Sequence, residues 1–342
     1  MVVQLLGGAD RARARALVEA QGLSFEEGLD DLVGVFEGGA LVGTGARAGD
    51  VLKMLAIDPA HQSGGLLGEL CGELVRLGLA AGHQGLFVFT RPQHAVSFEA
   101  LNFRLLASLA RVALLEYGGR FEAWLEACRP RLRAGPAGQG AGAVVLNANP
   151  FTLGHQWLVE QAAARVGTLY LLVVREDRSA FPFEVRRGLV EAGTRHLPNV
   201  VVLDTGRYAV STLTFPGYFL DKGEPVEPLQ LELDLTLFGA RIAPALSVRH
   251  RFFGSEPGCA TTRAYNAAMH RLLPRHGIEP VELARLEVGG APISASTVRG
   301  ALARDDVSTL RGLVPASTLA YLLSPEGRRL GARLAASQGR HG

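Results

Sequence analysis

Asn147-Ala-Asn-Pro-Phe-Thr-Leu-Gly-His155-Gln-Trp-Leu-Val159 decides how the chain is read. The stretch follows a short apolar run, Ala143 to Leu146, and leads into a helical pattern with Leu158, Ala162 and Val166 on one face. A polar loop between a buried strand and a helix lies where an α/β sheet binds ligands, at the carboxyl end of its strands. The helix start offers unpaired N–H groups and the positive end of the macrodipole, and both favour phosphate. Gly154 lets the backbone approach a ligand, and His155 can meet a phosphate with a ring nitrogen. The expectation is a domain that handles a nucleoside triphosphate. The loop is not of the Walker A type, because Gly-Lys-Ser/Thr occurs nowhere in the chain.

The 342 residues exceed one ordinary core and predict two domains. Apolar residues make up 48%, enough for burial, and the net charge of +2 implies no general affinity for nucleic acid. Of 35 basic residues only Lys53 and Lys222 are lysines, so any role that needs an ammonium has two candidates. Cys71, Cys128 and Cys259 are scattered and odd in number, with neither metal-ligand spacing nor a disulfide framework. The first residues lack a secretory pattern, and the longest apolar run, Leu169 to Val174, is too short for a membrane span. A cytoplasmic protein that uses neither membrane nor metal cluster is expected.

From Arg129 to Gly142 the chain is rich in Gly, Pro and Arg and cannot bury a face, which predicts a linker over 129–142. It divides a first domain, 1–128, from a second, 143–342. In the first, Val51 to Ile57 reads as a strand, followed by Asp58-Pro-Ala-His-Gln62-Ser-Gly-Gly65-Leu-Leu67 and a helix with Leu67, Leu70, Cys71, Leu74 and Leu77 on one face. A second strand, Leu86 to Thr90, precedes Ser97-Phe98-Glu-Ala-Leu101-Asn102-Phe103. This order resembles the GNAT acetyltransferase fold, in which a Gln/Arg-x-x-Gly-x-Gly/Ala loop binds the pyrophosphate of acetyl-CoA. Gln62 and Gly65 match, but Leu67 stands in place of a small residue and Asn102 in place of Gly. The expectation is a retained fold without acetyl transfer.

The second half alternates strands, near 143–147, 168–174, 200–203, 248–253 and 281–286, with helices near 156–166, 183–195, 230–241, 261–273, 297–303, 306–313 and 315–323. Such alternation predicts a Rossmann-like, mostly parallel sheet covered on both faces. Pro150-Phe151-Thr152-Leu-Gly154-His155 resembles the His-x-Gly-His signature of the nucleotidyltransferase superfamily, with Thr at the first position. Gly289-Gly-Ala-Pro-Ile293-Ser294-Ala-Ser296-Thr297-Val-Arg299 resembles the Ile-Ser-Ser-Thr-x-Val-Arg motif of the same superfamily. The resemblance implies that Thr152 and His155 contact phosphates and that Gly154 leaves room for the base. Hydroxyls of Ser294 and Ser296 at a helix start can bond phosphate oxygens, and Arg299 can bond them bidentately. The bland alternative makes Thr152 and Ser294 ordinary helix caps. Arg186, in Phe183-Glu184-Val-Arg186, is expected to reach toward the nucleotide, and Gly254-Ser-Glu256-Pro257 to end a strand facing it. Lys222 could neutralise phosphate charge. Mg²⁺ is expected with the nucleotide from the chemistry, not from ligands in the sequence.

A tighter match covers residues 143 to 299. Val144-Val-Leu-Asn147-Ala-Asn149-Pro150 through His155, then Val173-Val-Arg175-Glu176-Asp177-Arg178-Ser179, Thr214-Phe-Pro216, Ile242-Ala-Pro-Ala-Leu246 and Tyr265-Asn266 resemble the citrate lyase ligase family. A GNAT-like domain joined to a nucleotidyltransferase domain is that family's layout. The resemblance implies activation of the acyl-carrier subunit of citrate lyase. Acetate and ATP give an acetyl-adenylate and pyrophosphate, and the prosthetic-group thiol of the carrier takes the acetyl group and releases AMP. Rival expectations are another adenylyltransferase with a pantetheine-phosphate or mononucleotide acceptor, a GNAT acetyltransferase with a non-catalytic nucleotide-binding half, and a nucleotide-sensing module.

Overall fold

The computed structural model describes residues 1–62, 65–133, 140–175, 179–209, 215, 218–219, 226–256 and 260–338. The chain forms two compact units, Met1–Glu126 with Val210–Leu237, and Ala127–Ala209 with Phe238–Gly342.

The first unit carries β1 (Val2–Gln4), α1 (Gly8–Ala20), β2 (Asp31–Glu37), β3 (Ala40–Ala48), β4 (Val51–Ile57), α2 (Leu66–Ala80), β5 (Leu86–Thr90), α3 (Ala95–Glu99), β6 (Phe103–Ser108), β7 (Ala113–Tyr117) and α4 (Arg120–Cys128). Gly38 and Gly39, at φ 56° and 83°, form the tight turn that folds β2 back on β3. The sheet runs β1-β2-β3-β4-β5-β7-β6, with β4 and β5 parallel and the other neighbours antiparallel. Leu66, Leu70, Cys71 and Leu74 of α2 bury against Val33, Val35, Leu52 and Val88 of the sheet. Leu66, outside the expected set, is more deeply buried than Leu67, which is only partly covered. Asn102 has φ 64°, the left-handed conformation that explains a Gly preference there and that Asn tolerates best among other residues. The GNAT-like α/β arrangement expected from the sequence is present.

The second unit carries β8 (Ala141–Leu146), α5 (Leu153–Ala163), β9 (Leu169–Val173), α6 (Phe183–Thr194) and β10 (Val200–Asp204). The helix α7 (Val226–Leu237) follows and packs on β6 of the first unit. The chain returns through a π-helical turn, Phe238–Ile242, into α8 (Ala243–Ala245), β11 (Val248–Gly254), α9 (Ala260–Leu272), β12 (Glu279–Leu283), the short pair β13 (Glu287–Val288) and β14 (Ala291–Pro292), and α10 (Ala295–Ala303). It ends in α11 (Val307–Leu313), α12 (Ala316–Leu323) and α13 (Pro325–Gln338), the last beyond the expected helices. The sheet is parallel throughout, in the order β10-β9-β8-β11-β12. Every residue of β9 is buried, as a central strand covered on both faces requires. The order reverses between β8 and β11, which places a ligand crevice at their carboxyl ends. The expected Rossmann-like class holds.

Two boundaries differ from expectation. Val210–Leu237 was expected within one continuous second domain from residue 143, yet it belongs with the first unit. The cause is non-local burial: Phe215 packs edge-on against Phe89 of β5 at 5.4 Å, and Tyr218 and Phe219 are buried beside it. Within the expected linker, Arg129–Arg131 form a 3-10 turn and β8 already begins at Ala141, while 134–139 lie outside the described residues.

The Phe151 ring lies buried against α6, where a Cβ on Gly193 would come within 2.5 Å of its Cε1. Gly193→Val forces that ring to move, at an expected cost of about 1–3 kcal/mol. A lowered urea midpoint checks this, and an unchanged midpoint contradicts it.

Candidate functional site

Between β8 and α5 the chain passes Asn147 to Thr152 with Ala148 at φ 49° and a cis Asn149–Pro150 peptide. Thr152 is buried and caps α5: its Oγ1 accepts from the His155 N–H at 3.2 Å. The capping is reciprocal, because His155 Nδ1 accepts the Thr152 N–H at 3.1 Å. That bond leaves the proton of a neutral imidazole on Nε2, the only ring atom left to face a ligand. Burial, with the Arg285 guanidinium adding to it, pushes the His155 pKa down to about 4. At neutral pH the ring is therefore an uncharged N–H donor, stacked on Phe151 at 5.8 Å.

The second motif forms a matching tip. Ser294 caps α10, its Oγ accepting the Thr297 N–H at 3.1 Å and lying 2.8 Å from the hydroxyls of both Ser296 and Thr297. The tips of α5 and α10 touch. A Cβ on Gly154 would lie 3.3 Å from the Ile293 carbonyl oxygen and 3.4 Å from its Cβ, so Gly154 is what permits the approach. Arg299 Nη1 donates to the Asn149 carbonyl oxygen at 2.7 Å, and partial burial lowers its pKa. Residues 150 positions apart thus share one surface of hydroxyls, helix N–H groups, an imidazole N–H and a guanidinium.

Arg186 does not reach toward this surface. It is fully buried, with Nη1 donating at 2.8 Å to the Asn147 carbonyl, the Asn147 Oδ1 and the Val174 carbonyl, and Nε donating to the Phe181 carbonyl at 3.0 Å. It holds the loops after β8 and β9 together from beneath. Asn147 Oδ1 also accepts from Ser179 Oγ at 3.0 Å, and Asn149 Oδ1 from the Phe181 N–H at 3.1 Å. Both asparagines shape the loop floor.

At the end of β11, Asn266 Nδ2 donates to the Gly254 carbonyl at 3.0 Å. Glu256 pairs with Arg285, whose Cγ would lie 3.7 Å from a Cβ on Gly254. Arg285 was missed in the sequence because a strand expected over 281–286 left it inside the sheet. With β12 ending at Leu283, it stands just past a strand end, where ligand residues collect. Arg175 takes a different place, its guanidinium 5.2 Å from the Phe183 ring and 3.6 Å from Asp204. Lys222, Glu176, Asp177, Arg178, Thr214, Pro216, Pro257 and Cys259 lie outside the described residues. Lys53, on β4, pairs with Glu26 at 2.8 Å. Among the described residues no group of three His, Cys, Asp or Glu gathers to hold a metal, and no helix is long and apolar enough to cross a membrane.

Fold and site together define a chain with a GNAT-like unit and a Rossmann-like, parallel-sheet unit. The chain belongs to the citrate lyase ligase family: the family model for the citrate lyase ligase C-terminal domain matches residues 141–322. The [citrate [pro-3S]-lyase] ligase of Klebsiella pneumoniae is 44% identical over 287 residues, covering 83% of this chain and 84% of its own. The same-named protein of Escherichia coli K12 is 36% identical over 307 residues, covering 88% and 86%. Among solved structures, the N-acyl amino acid synthase FeeM from uncultured soil microbes covers 34% of this chain and 90% of its own, at 16% identity and a TM-score of 0.31. The protein is an enzyme, a ligase.

Two outcomes follow from the site. Arg186→Met strips buried carbonyls of their donor at about 1–3 kcal/mol each, so a large fall in thermal midpoint is expected. An unchanged midpoint with weakened nucleotide binding would instead assign Arg186 to the ligand. For His155, the folded pKa lies below the ordinary 6.5, so the unfolded chain binds more protons between about 6.5 and about 4. Its contribution to stability is whole above that window and is lost as pH falls through it. NMR titration of the ring should show an Nε2–H tautomer that protonates only near pH 4, and titration near 6.5 contradicts the reading.

Proposed function

We propose that this chain activates citrate lyase by acetylating the prosthetic-group thiol of the lyase's acyl-carrier subunit, at the expense of ATP. The observation that supports this best is the contact between the α5 and α10 tips, which gathers donors for one triphosphate. An acetate oxygen attacks the α-phosphorus, the bond to the β-phosphate oxygen breaks, and pyrophosphate leaves. The thiolate sulfur of the carrier arm then attacks the acetyl carbonyl of the adenylate, the carbonyl–oxygen bond breaks, and AMP leaves. Acetate is ionised at neutral pH and needs no general base.

Catalysis in this scheme rests on positioning and charge stabilisation. Thr152 fixes His155, whose Nε2–H donates to a phosphate oxygen. Ser294, Ser296 and Thr297 donate hydroxyls and helix N–H groups to the outer phosphates, with Ile293 setting the tip against α5. Arg299 spreads the charge of the pentavalent phosphorus, and Lys222 is the further cation proposed for the leaving pyrophosphate. Asn147, Asn149, Pro150 and Phe151 shape the floor, and Gly154, Gly254 and Glu256 border the nucleoside. Arg285 joins them as a cation able to leave Glu256 for phosphate. Mg²⁺ enters as part of the MgATP substrate. The reaction places the enzyme in the cytoplasm, where its ATP is.

Isotope exchange between pyrophosphate and ATP tests the first half. Exchange that requires acetate is expected, and Arg299→Gln should slow it by about 100-fold or more, about 2.7 kcal/mol of lost charge stabilisation. Turnover without acetate on a phosphopantetheine acceptor would point to an adenylyltransferase instead.

A further inference from the structure

The buried apolar side chains of the second unit form two clusters. One joins Val144, Leu171 and Val202 of the parallel sheet to Val159 of α5 and Val190 of α6. The other gathers Val298, Ala301 and Leu302 of α10 with Leu310 of α11, Val314, Leu322 of α12 and Leu330 of α13. Among the described residues, Phe181 is the one buried member of the second cluster that precedes residue 298. It stands in the segment 179–182 that leads into α6, is fully buried, and lies 6.2 Å from the Tyr321 ring of α12.

The backbone of the same residue bonds the loops of the site. Its N–H donates to Asn149 Oδ1 at 3.1 Å, and its carbonyl accepts from Arg186 Nε at 3.0 Å. Asn149 accepts the Arg299 guanidinium on its carbonyl oxygen at 2.7 Å, and Arg299 directly follows Val298 on α10. These contacts close a ring: from Phe181 to Asn149, to Arg299, along α10 to Val298, and through the cluster back to the Phe181 side chain. The far side of α10 is held by α13, where a Cβ on Gly331 would lie 3.0 Å from the Leu302 carbonyl oxygen and 3.2 Å from its Cγ. Close-packed interiors transmit small shifts, so a smaller side chain at 181 moves α10 relative to the loop. An arginine on a long side chain stabilises developing charge only if it is in place before that charge appears. Holding Nη1 on the Asn149 carbonyl leaves the Nε and Nη2 hydrogens for phosphate oxygens.

We infer that Phe181 is a positioning residue for the reaction: its N–H sets the Asn149 loop, its ring sets α10, and between them they aim Arg299 at the α-phosphate. Phe181 itself touches no substrate. The inference rests on the adenylyl transfer proposed above.

Acetate-dependent exchange between pyrophosphate and ATP, measured on the full-length protein over a range of ATP, tests this. Phe181→Leu should lower kcat by about tenfold to 100-fold, as a misplacement of about 1 Å does, with KM for ATP held within about threefold. On the Arg299→Gln background the same change should slow exchange no further, because the two residues act as one unit. Phe181→Met, which refills most of the space, should restore most of the rate. If the thermal midpoint shows that Phe181→Leu does not fold, Gly331→Ala pushes α10 from the α13 side and must give the same split. An unchanged kcat, a rise in KM alone, or a full further loss on the Arg299→Gln background overturns the inference. Absence of acetate-dependent exchange in the unaltered protein sinks the proposed reaction instead. A crystal structure of Phe181→Leu then decides: Arg299 Nη1 should stand beyond hydrogen-bond reach of the Asn149 carbonyl, and an intact bond overturns the inference.

Discussion

The Arg299 guanidinium donates to the Asn149 carbonyl at 2.7 Å, and on that bond the arrangement of the second unit turns. It ties the helix carrying the late motif to the loop carrying the early one. The close approach of Gly154 to Ile293 lets the two helix starts stand side by side. Each start alone is a weak anion site, worth a few tenths to one kcal/mol at an exposed position. Brought together at the reversal in strand order, they place two sets of orphan N–H groups around one crevice. The buried Arg186 works from below, giving its donors to four oxygens of the loops after β8 and β9. One arginine builds the floor and another closes the surface.

The donors at this surface are mostly neutral. His155 is held uncharged by burial, with its proton directed to Nε2 by the Thr152 N–H. Serine and threonine hydroxyls already bond one another around Ser294, so they are oriented before a ligand arrives. Fixed dipoles of this kind stabilise charge that grows during a reaction without reorganising, which suits the proposed adenylyl transfer. The Glu256–Arg285 ion pair adds a guanidinium just past the end of β12.

What the sequence disclosed was whatever depends on local pattern. The five strands of the second unit's parallel sheet and the helix starts at Thr152 and Ser294 were legible because strand runs and cap residues act over a few positions. The reciprocal cap at α5 also explains why the bland reading and the functional one coincide: Thr152 caps α5 and is bonded in return by His155, which sets the tautomer of that ring. Arg186 was misread because an arginine early in a helix ordinarily faces water, and only the carbonyls of two distant loops give reason to bury it. The membership of Val210–Leu237 in the first unit was hidden for the same reason. Its anchors, Phe215, Tyr218 and Phe219, have no local period to betray the sheet they enter. Leu67 packs against the core from the face of α2 expected of it, while Leu66, outside the expected set, is the more deeply buried.

A crystal structure with a non-hydrolysable ATP analogue tests the central claim most directly. The account predicts one triphosphate spanning the two tips, with phosphate oxygens within about 3 Å of both His155 Nε2 and the hydroxyls at Ser294 and Ser296. A nucleotide bound against only one tip, or elsewhere on the second unit, would contradict it.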